Sequence, residues 1–286
     1  MAAARRVEEV MTRTAPRFQW GARTYVMGIV NVTPDSFSGD GVAGDADAAV
    51  EQAVRMEAEG ADIIDVGGMS TRPGHEEVSV EEEKSRVMSV LPGILERVEV
   101  PVSVDSYRYD VATAAVDAGA SVINDVWGLR RDPRLADLAA SSGAWLVLMH
   151  SQDNPIYKDL VPNVISGLTG SITMAEAAGV PLDRLIVDPG IGFGKTPEQN
   201  LVVLHRLQEF KVLNLPILLG TSRKSVIGKT LDLPVDDRVE GTAATVALAI
   251  AAGVDMVRVH DVAAMVRVCR MADAIVRQAE PAENEE

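Results

Sequence analysis

The stretch GADIID at residues 60–65 decides the fold, because it places a helix stop, a short strand and a polar residue in direct succession. Gly60 follows a helical pattern, and glycine ends helices because it adopts the left-handed conformation freely. Ile63 and Ile64 are apolar without alternation, which is typical of a parallel strand that is buried on both faces. Asp65 then places a carboxylate where the predicted strand ends.

The same order of features recurs along the chain, which indicates a repeated structural unit. Four more glycines precede short apolar runs that lead to a polar residue, and three further runs match without the glycine. Amphipathic helical patterns lie between the runs, for example at residues 46–58 and 111–118. The glycines are Gly119, Gly143, Gly179 and Gly253, and the runs without one are residues 25–30, 100–104 and 215–219.

Eight such units in a body of about 250 residues predict an α/β fold, a (β/α)8 TIM barrel. A doubly wound open sheet is the alternative, but it usually has a glycine-rich first turn, and the first strand here runs into NVTPD. Residues 18–25 predict a short N-terminal hairpin that closes the bottom of the barrel. We expect an N-terminal extension at residues 1–17, a single barrel domain at 18–279 and a disordered acidic tail at 280–286.

The composition excludes several classes of protein. The chain has 286 residues with 27 Lys and Arg against 42 Asp and Glu, and the net charge of −15 disfavours non-specific binding of nucleic acid. The apolar runs are too short to span a membrane. The single cysteine, Cys269, cannot form an internal disulfide or a cysteine-based zinc site. No secretory signal is recognisable, so we expect a cytoplasmic protein that binds neither nucleic acid nor membranes.

Polar side chains follow the predicted strands. In (β/α)8 barrels the carboxyl ends of the strands form the mouth where active sites lie. A mouth lined with hydrogen-bond donors and acceptors suits a polar, flat, nitrogen-rich ligand. The residues at these ends are Asn31, Asp65, Asp105, Asn124, His150, Asp188, Ser222, Arg258 and His260.

Cations cluster after the last two predicted strands of this acidic chain, at residues 222–225 (SRKS) and at 258–260 (RVH). The loops after strands seven and eight often form an anion site in such barrels. Arg258 and His260 are two residues apart, so we expect both to point to the same side of the strand. Near the first strand, Asn31 and Asp35 offer the hard oxygen ligands that Mg²⁺ prefers.

Five blocks of sequence, in order, resemble those of the dihydropteroate synthase family. The resemblance covers nearly the whole chain, from about residue 18 to residue 279. Five ordered blocks are far more specific than any single motif. The blocks are MGIVNVTPDSFS at 27–38, DVGGMSTRPG at 65–74, DPGIGFGK at 188–195, SRKS at 222–225 and RVHDV at 258–262.

The resemblance implies a (β/α)8 barrel and a transferase reaction. The family joins 6-hydroxymethyl-7,8-dihydropterin diphosphate to p-aminobenzoate, which gives 7,8-dihydropteroate and pyrophosphate in folate synthesis. Because pyrophosphate is a stable leaving group and the amine is a weak nucleophile, we expect a dissociative, SN1-like path without a strong general base. The resemblance also implies Mg²⁺ as cofactor and a homodimer.

The site residues implied by the resemblance fall into groups according to the part of the substrates they contact. The pterin ring is expected to bind Asp105, Asn124, Met149, Asp188 and Lys224. The diphosphate is expected to bind Asn31, Thr71, Arg72, Arg258 and His260, with Asn31 as the ligand of Mg²⁺. The p-aminobenzoate site is expected to contain Pro73, Phe193, Lys224 and Ser225, while Asp35, Thr71, Arg72 and Lys224 are expected to serve catalysis.

Two alternatives share the pterin site but differ in chemistry. A methyltetrahydrofolate–corrinoid methyltransferase-like domain would have no use for cations such as Lys224 and Arg258 around a diphosphate. A non-catalytic pterin-binding paralogue would lose loop residues such as Asp35 or Arg72, and both are present.

Two positions depart from the family pattern, and the rest of the second block is intact. Met69 stands where the family usually has Glu, and Ser151 stands where Met is common. Neither is among the predicted ligand residues, so we expect them to affect efficiency or the preference among p-aminobenzoate analogues.

We predict sensitivity to sulfonamides, which mimic p-aminobenzoate, because residues 72–74 (RPG) keep the family pattern. A host that depends on this gene for folate should stop growing at high sulfonamide concentration. Added p-aminobenzoate should restore growth. Normal growth at high sulfonamide without that addition would contradict the prediction.

Overall fold

The computed structural model describes residue 16 and residues 18–32, 42–69 and 78–277, with the backbone alone at 42–45. The predicted N-terminal extension, apart from residue 16, and the predicted acidic tail at 280–286 lie outside the described residues. The division into domains therefore stays a prediction at both ends of the chain.

Eight parallel strands form one sheet in the order β6-β5-β4-β3-β2-β1-β8-β7. A parallel bridge from Val187 in β6 to Ile217, directly before β7, joins the two ends of this order, so the sheet curls into a barrel. This confirms the predicted (β/α)8 fold. The strands are β1 (Tyr25–Asn31), β2 (Ile63–Gly67), β3 (Val102–Asp105), β4 (Val122–Asp125), β5 (Trp145–Met149), β6 (Leu185–Asp188), β7 (Leu218–Leu219) and β8 (Met256–Val259).

Helices alternate with the strands and cover the outside of the barrel. All five glycines that the sequence marked as helix stops have a positive φ, between 76° and 122°, which explains why the helices end there. The α-helices are α1 (Val42–Ala58), α2 (Val80–Arg97), α3 (Tyr109–Ala118), α4 (Arg134–Ser142), α5 (Leu160–Ala177), α6 (Pro197–His205), α7 (Ser225–Leu231), α8 (Val239–Ala251) and α9 (Val262–Val276). Two 3₁₀ helices lie at Leu182–Arg184 and Leu207–Leu213.

The bottom of the barrel is closed by aromatic rings. Phe18 lies 4.5 Å from Trp20, 4.9 Å from Tyr25 and 5.0 Å from Trp145 between ring centroids. The expected N-terminal hairpin differs in its backbone: the described residues before β1 form a turn, closed by Ala22 N–H to the Gln19 carbonyl, without a paired strand. Ring packing, and not strand pairing, therefore holds this segment under the barrel.

Apolar side chains fill the lower half of the barrel interior. They form a separate cluster inside the strands, apart from the larger core between strands and helices. Because side chains two residues apart on a strand share a face, the next inward position on each strand lies nearer the mouth. The inner cluster consists of Tyr25, Met27, Ile63, Val122, Val147, Ile186, Leu218 and Met256. Among the described residues, no helix is long and apolar enough to cross a membrane.

Candidate active site

The polar residues predicted at the strand ends stand two positions beyond the inner apolar cluster. Asp65 follows Ile63, Asn124 follows Val122, and Arg258 follows Met256, so each shares the inward face of its strand. Asp105 and Asp188 occupy the corresponding ends of β3 and β6 and are 6% and 5% exposed. The fold therefore collects these side chains inside the mouth of the barrel.

Arg258 ties three strands together through two carboxylates. Its Nε donates to Asp65 Oδ2 at 2.6 Å, and its Nη2 donates to Asp105 Oδ2 at 2.7 Å. Asn124 Nδ2 donates to the same Asp65 oxygen at 3.0 Å. The prediction gave Arg258 to the diphosphate, but its guanidinium also lies directly on two carboxylates. A buried charge requires such pairing because loss of hydration is costly.

Two carboxylate oxygens in this group have no hydrogen-bond partner among the described residues. They are Asp65 Oδ1 and Asp105 Oδ1, both buried. Burial raises the pKa of the Asp105 carboxyl, against the opposing pull of Arg258. Buried acceptors that lack a protein partner can accept hydrogen bonds from a ligand or from a water molecule.

Asp188 anchors the turn that follows β6. Its Oδ1 accepts from the Gly190 N–H at 2.7 Å, and burial raises the pKa of its carboxyl in spite of the nearby Lys224. Lys224 Nζ donates to the carbonyl of Ile191 and lies 4.7 Å from the centre of the Phe193 ring. Asp188, Lys224 and Phe193 therefore lie close together at the carboxyl end of the barrel.

Lys224 ends the loop after β7, directly before α7. Burial lowers the pKa of its ammonium to about 8, although Asp188 and Asp105 act in the opposite direction. Ser225 is exposed and is the first residue of α7, at the helix start that the sequence predicted. A helix start presents unpaired backbone N–H groups that favour an anion.

His260 contacts the loop after β7. Its backbone N–H donates to Ser222 Oγ at 3.1 Å, and its Nδ1 lies 3.0 Å from the same oxygen. Between Ser222 and Lys224, Arg223 has a left-handed φ of 57°, which is strained for a residue with a side chain. Its guanidinium is held by Asp261 at 2.6 and 3.0 Å, so the loops after β7 and β8 are joined.

The structure places most of the predicted site residues at one end of the barrel. Met149 is buried on the inward face of β5, and Asn31 is half-buried at the end of β1. Four predicted residues lie outside the described part of the chain: Asp35, Thr71, Arg72 and Pro73. Their roles stay predictions.

Three residues have positions that the site prediction did not foresee. Asp65 was named only as a strand end, yet it is the shared acceptor of Arg258 and Asn124. His150 is next to inward-facing Met149, so it points outward, where it packs between the barrel wall and α5. Lys195 was only part of a sequence block, and its Nζ lies 3.3 Å from His150 Nδ1.

The two departures from the family pattern are both buried. Met69 is 8% exposed and Ser151 is 2% exposed. A methionine at position 69 can be buried without a charged partner, whereas a Glu there would need one.

Comparisons with known proteins show which family the chain belongs to. A sequence profile described as "Pterin binding enzyme" matches residues 27–260. The dihydropteroate synthase of Clostridium beijerinckii is 51% identical over 262 residues, which are 91% of this chain and 97% of that protein.

Solved structures show the same similarity. A dihydropteroate synthase from Clostridium difficile, crystallised in the presence of pteroic acid, has a TM-score of 0.90 at 49% identity and covers 92% of this chain and 100% of its own. The enzyme from Xanthomonas albilineans with 4-aminobenzoic acid has a TM-score of 0.86 at 44% identity and covers 91% and 94%. The resemblance predicted from the sequence is confirmed, and the chain belongs to the dihydropteroate synthase family of pterin binding enzymes.

Proposed function

We propose that this chain joins 6-hydroxymethyl-7,8-dihydropterin diphosphate to p-aminobenzoate and releases pyrophosphate. The observation that carries the proposal is the pair of buried carboxylates, Asp65 and Asp105, held by Arg258 with one oxygen each left without a partner among the described residues. A pterin edge is rich in N–H donors and supplies the hydrogen bonds that these oxygens lack.

The ring binds in the mouth of the barrel above the inner apolar cluster. Asp105 and Asp188 accept hydrogen bonds from the ring, and the side-chain amide of Asn124 can both donate and accept. Asn124 is oriented by its bond to Asp65, so its free amide oxygen is the part available to the ligand. Met149, buried at the end of β5, offers a polarisable surface to the flat face of the ring.

The charges around the ring favour a dissociative path. The carboxylates of Asp65, Asp105 and Asp188 lie toward the carboxyl ends of β2, β3 and β6, next to the position proposed for the ring. Carboxylates close to the pterin methylene stabilise the positive charge that develops there when the bond to the diphosphate breaks. No nucleophile or strong base on the protein is needed for that step.

The leaving diphosphate lies on the cationic side of the mouth. Arg258 uses Nε and Nη2 for the two carboxylates, and Nη1 on the same guanidinium can donate to a phosphate oxygen. His260 is turned toward the loop after β7 by Ser222 and adds a second donor.

Asn31 fits the Mg²⁺ that the family resemblance implies. Its amide oxygen is a hard ligand at the carboxyl end of β1, and Mg²⁺ usually binds one or two protein oxygens together with substrate phosphates. Within the described ranges no group of three or more His, Cys, Asp or Glu side chains is placed to hold a metal, which suits an ion bound mainly through the substrate. Such an ion would neutralise charge on the leaving diphosphate.

p-Aminobenzoate binds beside the ring, against Phe193 and Lys224. Its aromatic ring packs on Phe193, and its carboxylate lies near Ser225, at the start of α7. The backbone N–H groups at that start favour the negative charge. Its amine then faces the pterin methylene, with Asp35, Thr71, Arg72 and Pro73 contributing from the loops.

Coupled product formation tests the proposed function. Purified protein with the dihydropterin diphosphate and Mg²⁺ should release pyrophosphate in a p-aminobenzoate-dependent manner and form dihydropteroate. Binding of the diphosphate without coupled product would instead support the non-catalytic paralogue. No binding at all would contradict the site and favour the methyltransferase alternative.

Asp65 should be required for full activity, although it lies deeper in the barrel than the predicted pterin ligands. Asp65→Asn removes the charge that holds Arg258, so kcat/KM should fall by at least about 10-fold, as for loss of a hydrogen bond to a charged group. Asp62→Asn is the matched control, because Asp62 pairs with Arg23 at the opposite end of the barrel. The control should keep kcat/KM, and an equal loss in both variants would show that stability alone is affected.

We also propose a homodimer, formed by a second copy on the outer face of α8 and α9. The two helices pack side by side, and three large apolar side chains on them stay exposed: Leu248 by 73%, Met271 by 63% and Ile275 by 66%. Large exposed apolar side chains on two neighbouring helices are typical of protein interfaces. A cytoplasmic location is likewise our proposal, supported by the single unpaired cysteine.

The dimer should be broken by a charge on this face. Met271→Glu places a carboxylate among the exposed apolar residues and should prevent the two copies from packing together. The molar mass of this variant, measured by light scattering after gel filtration, should therefore be that of a monomer and not that of a dimer. Val212→Glu is the control, since Val212 is 66% exposed in a 3₁₀ helix on another part of the surface. A monomeric wild-type protein would contradict the proposal.

A further inference from the structure

Lys195 and His150 form a pair of side chains that the proposed reaction does not use. His150 is 5% exposed and Lys195 is half-buried, in the loops after β5 and β6. Burying an ammonium group is costly unless its donors are satisfied. Lys195 therefore needs hydrogen-bond acceptors at this partly buried position beside the mouth.

Three acceptors surround the ammonium group of Lys195. Its Nζ donates to the carbonyls of Gly190 at 2.9 Å and Phe193 at 3.1 Å, and it lies 3.3 Å from His150 Nδ1. An ammonium has three donors and no acceptor, so this set uses all of them. His150 then accepts at Nδ1 and must be neutral. Burial and the charge of Lys195 lower the pKa of His150 to about 3, which agrees with a neutral ring.

The carbonyls that Lys195 binds belong to the turn at residues 190–193. The Gly190 carbonyl also accepts from the Phe193 N–H at 3.2 Å, which closes the turn. Gly190 has a φ of 71°, and a Cβ there would lie 1.8 Å from the His150 carbonyl oxygen. The turn is thus pressed against the end of β5, and Lys195 fixes it to His150 on that side.

The same turn carries two groups that contact Lys224. The Ile191 carbonyl accepts from Lys224 Nζ, and the Phe193 ring lies 4.7 Å from that nitrogen. A shift of the turn would therefore move the aromatic ring and the ammonium together. Both belong to the proposed p-aminobenzoate site.

We propose that Lys195, with His150 as its acceptor, is a positioning residue that fixes the turn at 190–193 and thereby sets the affinity for p-aminobenzoate. The inference rests on the proposed function, because it assigns a role toward that second substrate. Lys195 touches neither substrate and acts through Phe193 and Lys224.

Separate measurements of the affinity for each substrate test the role of Lys195. Lys195→Met keeps the length of the side chain but not its donors, so KM for p-aminobenzoate should rise by about 10-fold or more. The dissociation constant of the dihydropterin diphosphate should change by only about two- to threefold. Lys158→Met is the control, since Lys158 is exposed in the loop after β5, and it should behave as wild type.

A second pair of variants keeps the test valid if Lys195→Met does not fold. His150→Asn retains an acceptor near the position of Nδ1, whereas His150→Leu removes it. The asparagine variant should restore most of the p-aminobenzoate affinity that the leucine variant loses. Equal KM values for the two variants, both at the wild-type level, would overturn the inference.

The pH dependence gives a readout that a purely structural role would not change. The groups that face Lys195 are Asp188, Lys224, Arg130 and His150, with Tyr157 beside His150, and burial lowers the pKa of the Lys195 ammonium to about 7. The charged form holds the turn, so the contribution is complete at low pH and is lost as the pH rises through about 7. The ratio of KM for p-aminobenzoate between Lys195→Met and wild type should be largest at pH 6 and shrink toward 1 by about pH 9.

Wild-type protein assayed in parallel separates a failure of the proposed function from a failure of the role assigned to Lys195. A wild type that forms no dihydropteroate contradicts the proposed function and removes the basis of the inference. An active wild type with an unchanged KM in Lys195→Met contradicts the inference alone. Equal losses of affinity for both substrates would show a general structural role and would also overturn it.

Discussion

The bonds from Arg258 to Asp65 and Asp105 are the constraint on which the mouth of the barrel depends. They join β8 to β2 and β3, and they place a cation and two carboxylates where side chains are almost fully buried. Removal of Arg258 would leave two buried carboxylates without their cation, and loss of one partner of a buried ion pair typically costs about 3–5 kcal/mol. Asn124 is oriented by the same Asp65 oxygen, so the first contacts for a ligand are set before it arrives.

Two lysines hold the turn at residues 190–193 from opposite sides. Lys224 donates to the Ile191 carbonyl from the β7 side, and Lys195 donates to the Gly190 and Phe193 carbonyls from the β5 side. Lys224 comes from the loop after β7, whereas Lys195 lies in the same loop as the turn, so the turn is tied both to a neighbouring loop and to its own. The turn that carries Phe193 is therefore held by these lysine bonds together with the packing of Ile191, which is fully buried.

The fold could be predicted in detail because its signals are local. A glycine that stops a helix, such as Gly60, and the apolar run after it lie within a few residues, and the structure has a strand at each predicted run. The contacts inside the site could not be predicted in this way, since Arg258 and Asp65 are 193 positions apart. His150 was predicted to line the mouth because it follows a strand. It is one residue beyond the inward-facing Met149, however, and side chains alternate along a strand, so it points outward.

The geometry of the Arg258 pairing leaves part of each carboxylate available to a ligand. Both bonds of the guanidinium end on the Oδ2 atoms, whereas the Oδ1 atoms of Asp65 and Asp105 have no partner among the described residues. A ligand with N–H donors can therefore bind without breaking the ion pairs. The carboxylates have already lost their hydration in the folded protein, so binding adds hydrogen bonds to groups that are preorganised. Under the proposed function, these preorganised carboxylates contribute both to binding of the pterin ring and to stabilisation of positive charge on its methylene.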